Sequence, residues 1–399
     1  MSNRLMHKLA ATLIPVTLLS LLSSCVPESV VPADTSIPRL GKVDSIALKS
    51  SSPLLLSDPL NYVELTPVLY RREQDGTIRQ LPRELYDSPE ITIIDASGQS
   101  VDRVYRARAG FVGNVTFTAR LEGSSTPVSN PITVKVVTPP KLPAVKEIPV
   151  IFHVIQGRDE LNKLGIKFDP TKIERHLTKL NHLFSGEIDR GAVGVDSRIR
   201  FVPVFKGPNG LTLQDPGIDQ VILDTPVDIS EDGTKAFFEE QTSVQWDHSK
   251  YFNIYLFSNF DATGSMFHYI YENLEQFEPV TQHKGVYYVM QDLDRLDRGF
   301  RPGSAQTDEI STYIARYMGL LPTNNPYEDD QCADTVDYYH GKVWYGENKT
   351  KYKETADHFF LSRNVMDDRA GLHTYISADQ AQRLHNALEN YPYLSMWRK

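Results

Sequence analysis

The sequence predicts two folded units in tandem, an all-β sandwich over residues 41–137 and an α/β (α+β) layer unit over residues 145–399. Three observations predict it. Short apolar runs separated by turn residues fill the first stretch, and none has helical periodicity. The proline-rich run Thr138-Pro139-Pro140-Lys141-Leu142-Pro143 then breaks the pattern, marking a stiff linker at 138–144. Beyond it, apolar strands alternate with segments whose apolar residues recur at helical spacing. With 40% hydrophobic residues, 20 Tyr and 17 Phe in 399 positions, there is material for two cores, which excludes wholesale disorder. The net charge of -9 opposes a nucleic-acid partner, because phosphate binding needs concentrated positive charge. Two cysteines exclude a disulfide-dense scaffold.

Residues 1–24 place Arg4 and Lys8 ahead of a short apolar stretch from Leu9 to Leu22 that Pro15 interrupts, the pattern of a secretory signal. The stretch closes on Leu22-Ser23-Ser24-Cys25, which resembles the bacterial lipobox. That resemblance implies cleavage before Cys25 and acylation of its thiol and new amino group, so that lipid holds the acidic body at the membrane. An ordinary signal peptide with a chance cysteine is the alternative. Val26 stands where an inner-membrane retention signal would have Asp, which points to the outer membrane, on its periplasmic or cell-surface face. Residues 25–40, with Pro27, Pro32 and Pro38, read as a flexible tether.

In the first unit, strands are expected at Val43–Leu48, Tyr62–Tyr70, Ile91–Ile94, Val101–Tyr105, Val115–Leu121 and Ile132–Val137. Gln74-Asp75-Gly76-Thr77 and Ala96-Ser97-Gly98 supply hairpin turns. This spacing suggests an immunoglobulin-like β-sandwich, and the lack of any catalytic cluster makes it a spacer or adhesive module. In the second unit, Ile148–Ile155 is an apolar strand of the kind buried on both faces. Asp169 and Pro170 form an N-cap and first helical residue ahead of Ile173, Leu177, Leu180 and Leu183. Further strands are expected at Arg200–Phe205, Tyr251–Phe257 and Val286–Met290. Helices are expected at Lys235–Glu240, at Gln306–Leu321 with Pro322 ending it, and at Ser377–Leu388 with Ser377 as cap.

Five fragments of the second unit fall in a telling order: IPVIFHVI from Ile148, WDHSKYFNIYLF from Trp246, GVYYVM from Gly285, Cys332-Ala333-Asp334-Thr335 and Asn364-Val365-Met366-Asp367. Together they resemble the pappalysin-type metzincins, and more narrowly the zinc-dependent metalloproteinase lipoproteins of Bacteroidetes. The resemblance implies a helix bearing HExxHxxGxxH, in which three His bind zinc, Glu is the general base and the metal acidifies its water. Met318-Gly319-Leu320 sets the register here. Thr312 and Arg316 then stand at the first two histidines, Tyr313 at the glutamate, Gly319 at the glycine and Pro322 at the third histidine. A hydroxyl is a poor neutral ligand, a guanidinium cannot lose its proton, and proline has no side-chain donor. No HExxH occurs elsewhere in the chain. The expectation is therefore a scaffold with no metal, no cofactor and no catalytic residue. The Met-turn of the family corresponds to Asn364 and Met366, and Asp368 occupies the position of a tyrosine oxyanion donor, where a carboxylate opposes the developing charge.

Other candidates have plainer readings. Arg316 is expected either to replace the metal as a cation, held by Asp368 or neighbouring acids, or to project into the cleft. Asp308 and Glu309 fit as first-turn acids. His153 reads as a hydrogen-bonded core residue, and His182 falls off the helical face of His176. His358 and His373 flank the Met-turn and could approach the old metal position, but nothing there fixes three ligands at once. Glu328-Asp329-Asp330 with Asp334 and Asp337 read as solvated loop charge, with Ca²⁺ binding as the alternative. Cys332 is expected to be buried and unpaired, with pairing to another chain as the alternative. The Tyr-, Lys- and Glu-rich stretch 335–361 is the best candidate for a protein or peptide partner, with packing on its own unit as the alternative. The leading function is a lipid-anchored envelope lipoprotein with a non-catalytic, metzincin-like binding domain. The alternatives are an active zinc metallopeptidase and a structural or adhesive surface lipoprotein.

Overall fold

Alternating apolar and polar residues build nine short strands in the first unit. The computed structural model describes residues 42–122, 128–158, 169–224, 231–257, 286–289, 309–323, 330–335, 343–345, 351–354, 359–361, 363–367, 372–390 and 394. The strands are β1 (Ser45–Ser50), β2 (Leu54–Leu56), β3 (Val63–Arg72), β4 (Ile78–Gln80), β5 (Ile91–Asp95), β6 (Ser100–Val101), β7 (Val104–Tyr105), β8 (Gly113–Leu121) and β9 (Ile132–Val137). One sheet has the order β1-β3-β4, with β7 also on β3; the other runs β2-β9-β8-β5-β6. β2 joins β9 in parallel, and the other pairs are antiparallel. Inward residues of both sheets, among them Leu55, Val63, Leu69, Phe117, Ala119, Val134 and Val136, are fully buried in a shared core. Gly76 and Gly98 take the left-handed φ values of 85° and 82° that their hairpin turns require.

The single strand expected at Val101–Tyr105 is instead two. Ser100–Val101 pairs with β5 in one sheet and Val104–Tyr105 with β3 in the other, so the chain changes sheets at Asp102-Arg103. Alternation persists across such a crossing, so periodicity does not reveal it.

The second unit is a three-layer arrangement. Its strands β10 (Lys146–Gly157), β11 (Ile199–Pro203), β12 (Ile218–Leu223), β13 (Phe252–Phe257) and β14 (Val286–Val289) form one all-parallel sheet. β10 lies inside it, flanked along one edge first by β11 and then by β12, and along the other by β13. That position explains its continuous apolar run. Helix α1 (Pro170–Ser185) begins as expected, with the Asp169 side chain accepting from the Thr171 amide and Pro170 at the first position. Ile173, Leu177, Leu180 and Leu183 are all buried against the sheet face of Ile148, Val150, Phe152 and Val154. Helix α2 (Glu231–Glu240) covers the opposite face through Phe237 and Phe238, against Tyr255 and Phe257. Helices α3 (Glu309–Tyr317) and α4 (Ala378–Asn390) share the α1 face. Strands β15 (Val343–Tyr345), β16 (Lys351–Glu354) and β17 (Phe359–Leu361) form an antiparallel sheet within the 335–361 stretch, and the β17 backbone lies against β1.

Pro322 does not end α3. The helix stops at Tyr317, where Gly319 at φ 100° reverses the chain, its amide bonding the Arg316 carbonyl at 2.9 Å and the Leu320 amide the Ala315 carbonyl at 3.1 Å. This paired closure is a Schellman motif, and it satisfies the terminal carbonyls three residues before the proline.

Candidate functional site

Helix α3 carries Thr312, Tyr313 and Arg316, and Thr312 meets the loop around Met366. Its buried side, Ile310, Ile314, Ala315, Tyr317 and then Met318, fixes the helix in the core, which leaves Thr312, Tyr313 and Arg316 half-buried. Gly319 is buried at the helix end and Pro322 is half-buried beyond it. The Thr312 hydroxyl donates to the Val365 carbonyl at 2.9 Å and lies 3.1 Å from His373 Nδ1. A hydroxyl has one proton, so His373 is the donor in the second contact, and its Nδ1 carries a hydrogen.

His373 is 4% exposed and sits at φ 46°, a conformation that costs a non-glycine residue about 1 kcal/mol or more. Neighbouring backbone bonds hold it there: the Thr374 amide to the Arg363 carbonyl at 2.7 Å, and the Val365 amide to the Tyr375 carbonyl at 3.0 Å. Asn364 locks the turn from below. Its amide exchanges two hydrogen bonds with Gln380, at 2.9 and 3.0 Å, while its Oδ1 accepts the Met366 amide at 2.8 Å. Met366 is fully packed at 1% exposure, and its carbonyl accepts the Thr323 amide.

The network continues into α4. Ser377 caps that helix as expected, through a reciprocal capping box: the Gln380 amide reaches Ser377 Oγ, and Gln380 Oε1 accepts the Ser377 amide at 3.1 Å. The Ser377-x-x-Gln380 pattern was a readable signal for this. Ser377 Oγ donates to Asp334 Oδ1 at 2.6 Å, the Asp379 amide donates to Asp334 Oδ2 at 2.9 Å, and the Asp334 amide returns a bond to Asp379. Burial pushes the Asp334 carboxyl up to about 6, against the lowering effect of these donors; the charges of Asp379 and Asp330 add to the rise.

This corrects the solvated reading at Asp330 and Asp334. Asp330 and Asp334 are 2% and 7% exposed, and Asp330 accepts from the Cys332 amide at 3.0 Å and the Thr335 hydroxyl at 2.6 Å. Asp334 draws its donors from the start of α4, which sequence proximity does not disclose, whereas the local Cys332–Thr335 turn holds Asp330. Cys332 is buried and free, and burial pushes its thiol well above the usual range. His153 is the expected core residue, fully buried, with Nδ1 2.9 Å from Asp219 and Nε2 2.9 Å from Asn253. His182 is half exposed, off the buried face that contains His176, and lies 3.5 Å from Glu187. Cys25, Asp308, Glu328, Asp329, Asp337, His358 and Asp368 lie outside the described residues.

Thr312, Arg316 and Pro322 do not fit zinc as a donor set. The Thr312 hydroxyl is committed to a carbonyl and an imidazole, Arg316 is a permanent cation, and Pro322 has no side-chain donor atom. Replacing Thr312 with valine keeps the shape and removes the hydroxyl, with its bonds to the Val365 carbonyl and to His373 Nδ1. The expected loss is about 1–2 kcal/mol in urea-unfolding free energy.

Fold and site define a β-unit joined to a parallel-sheet α/β unit, whose helix α3 is tied to the Met366 turn through Thr312. No family model matches the chain, and no curated protein does. Among solved structures, the chain is similar to mature mirolysin of Tannerella forsythia in complex with a cleaved peptide, at 15% identity and a TM-score of 0.44, covering 64% of this chain and 96% of that one. A mutant of Tannerella forsythia promirolysin matches at 15% identity and a TM-score of 0.44, over 65% of this chain and 87% of that one. Mirolysin in complex with compound 9 matches at 15% identity and a TM-score of 0.43, over 64% of this chain and 97% of that one.

Proposed function

We propose that this chain is a lipid-anchored envelope protein whose second unit is a metzincin-like scaffold without a metal, acting by binding and not by peptide hydrolysis. The observation that carries the reading is the commitment of Thr312, whose hydroxyl ties α3 to the Met366 turn where a ligand would face a metal. Arg316 and Pro322 at the other two positions support it, as do the five fragments in their order. The lipobox-like Leu22-Ser23-Ser24-Cys25 supports anchorage through Cys25, with the outer membrane favoured by Val26. The parallel pairing of β2 with β9 beside antiparallel neighbours supports an immunoglobulin-like character for the first unit. The 335–361 stretch, with its own small sheet, is the surface offered to a protein or peptide partner.

Elemental analysis of the purified protein tests the reading. Zinc is expected far below one equivalent, with digestion of a peptide library unchanged by a chelator. One equivalent of zinc that disappears in a His373→Ala variant, together with chelator-sensitive cleavage, overturns it.

A further inference from the structure

The joint between the two units is not confined to the proline-rich connection. The loop between α1 and β11 (residues 186–198) enters the first unit, and its Ala192 and Val193 are buried in the same core as Leu55, Val63 and Phe117. Backbone bonds tie it there, from the Leu56 amide to the Ala192 carbonyl at 2.9 Å and from the Tyr62 amide to the Gly191 carbonyl at 2.8 Å. Asn61, 1% exposed, spans the loop with its amide, reaching the Gly194 carbonyl at 2.9 Å and that of Gly191 at 3.3 Å. The loop turns so tightly that a Cβ on Gly194 would stand 2.5 Å from the Arg190 carbonyl oxygen.

The other side of this loop backs the candidate site. The Val195 amide bonds the Ile376 carbonyl at 3.1 Å, and the Ala378 amide bonds the Val193 carbonyl at 3.0 Å. Arg363, which directly precedes the Asn364–Met366 turn, closes the stack. Its Nη1 donates to Asp189 at 2.9 Å and its Nη2 to Glu64 on β3 at 3.0 Å, while the Tyr62 hydroxyl donates to Asp189 at 3.0 Å. One guanidinium thus joins a first-unit strand, the intervening loop and the turn.

We infer that the first unit is a structural wall of the candidate site and not a spacer: the two units unfold as one body, and Glu64 holds the Met366 turn through Arg363. A spacer needs only a tether, whereas here strand, loop and turn share a buried core, backbone bonds and a divided ion pair. The inference is independent of whether the second unit binds a metal or a partner.

The full chain tests it, because Trp246, Trp344 and Trp397, its only tryptophans, all fall within residues 145–399. Phe117→Ala, a cavity in the first core, is expected to lower the urea midpoint of tryptophan fluorescence by the same increment as the midpoint of the far-ultraviolet signal. A tryptophan midpoint left at the wild-type value overturns the inference. Should Phe117→Ala not fold, the milder Glu64→Gln serves. Amide exchange over residues 363–376 is expected to rise about tenfold, the factor that corresponds to about 1.4 kcal/mol of local opening, with α1 unchanged. Wild-type exchange in that stretch overturns the claim that Glu64 holds the turn.

Discussion

Replacing Arg363 with methionine is expected to lower the unfolding free energy by about 3 kcal/mol, the low end of what removing one partner of a buried ion pair costs. The side chains involved are 21% exposed for Arg363, 15% for Asp189 and 35% for Glu64, so water screens the loss only in part. Burial pulls the Arg363 pKa down, but Asp189 and Glu64 outweigh it and hold the guanidinium above its ordinary value. Without it, two carboxylates converge with no cation between them. Tyr62 remains a donor to Asp189, because burial pushes its phenol pKa well up, yet one neutral hydroxyl does not neutralise two charges. Lysine is a poor substitute, since a point ammonium lacks the planar fork that addresses Asp189 and Glu64 from separate nitrogens. The triple change Arg363→Met, Asp189→Asn, Glu64→Gln is expected to recover most of the loss, because no unpaired charge remains. Urea unfolding of the single and triple variants measures both statements, and a triple variant no more stable than the single would show that stranded charge is not the cause.

The second large effect concerns pH. Asp334 has its pKa raised from 3.8 to about 6 by burial, so the folded state binds this proton more tightly than the unfolded chain does. The resulting stabilisation is fully present below pH 3.8 and is lost as pH rises through 6. A shift of about two units corresponds to about 3 kcal/mol. Above pH 6 the charged carboxylate is retained because it caps α4, accepting from Ser377 Oγ and the Asp379 amide. Asp334→Asn is therefore expected to remove this component of the pH dependence between about pH 4 and 6. Denaturant midpoints measured across that interval for both proteins give the difference directly. Parallel pH profiles would mean that Asp334 does not titrate in this window.

Much of the fold was legible because it rests on local chemistry. Asp169-Pro170 and the apolar series from Ile173 announced α1, and the unbroken run from Ile148 announced a strand enclosed on both sides. Where the reading fell short, the deciding contact was distant. The crossing at Asp102-Arg103 depends on which sheet each end meets, and α3 stops at Gly319 because backbone turned left-handed satisfies its carbonyls before Pro322 is reached. Asp330 and Asp334 resemble any acidic loop until α4 and the Cys332–Thr335 turn enclose them. The cluster of Asn61, Tyr62, Glu64, Asp189 and Arg363 had no sequence signal, since each residue is an ordinary polar position within its own segment.

By itself, the sequence determined which chemical groups stand at positions 312, 316 and 322: a hydroxyl, a guanidinium and a pyrrolidine. That is a property of composition and register, and it excludes those three as a zinc-binding set wherever they point. Only the tertiary structure decided what those groups do instead. It turned the Thr312 hydroxyl into a tie between α3 and the Met366 turn, and it brought Arg363 to Glu64 across 299 positions of chain. The physical reason is that a side chain's chemistry is set by its own atoms, whereas its partner is set by how distant elements pack.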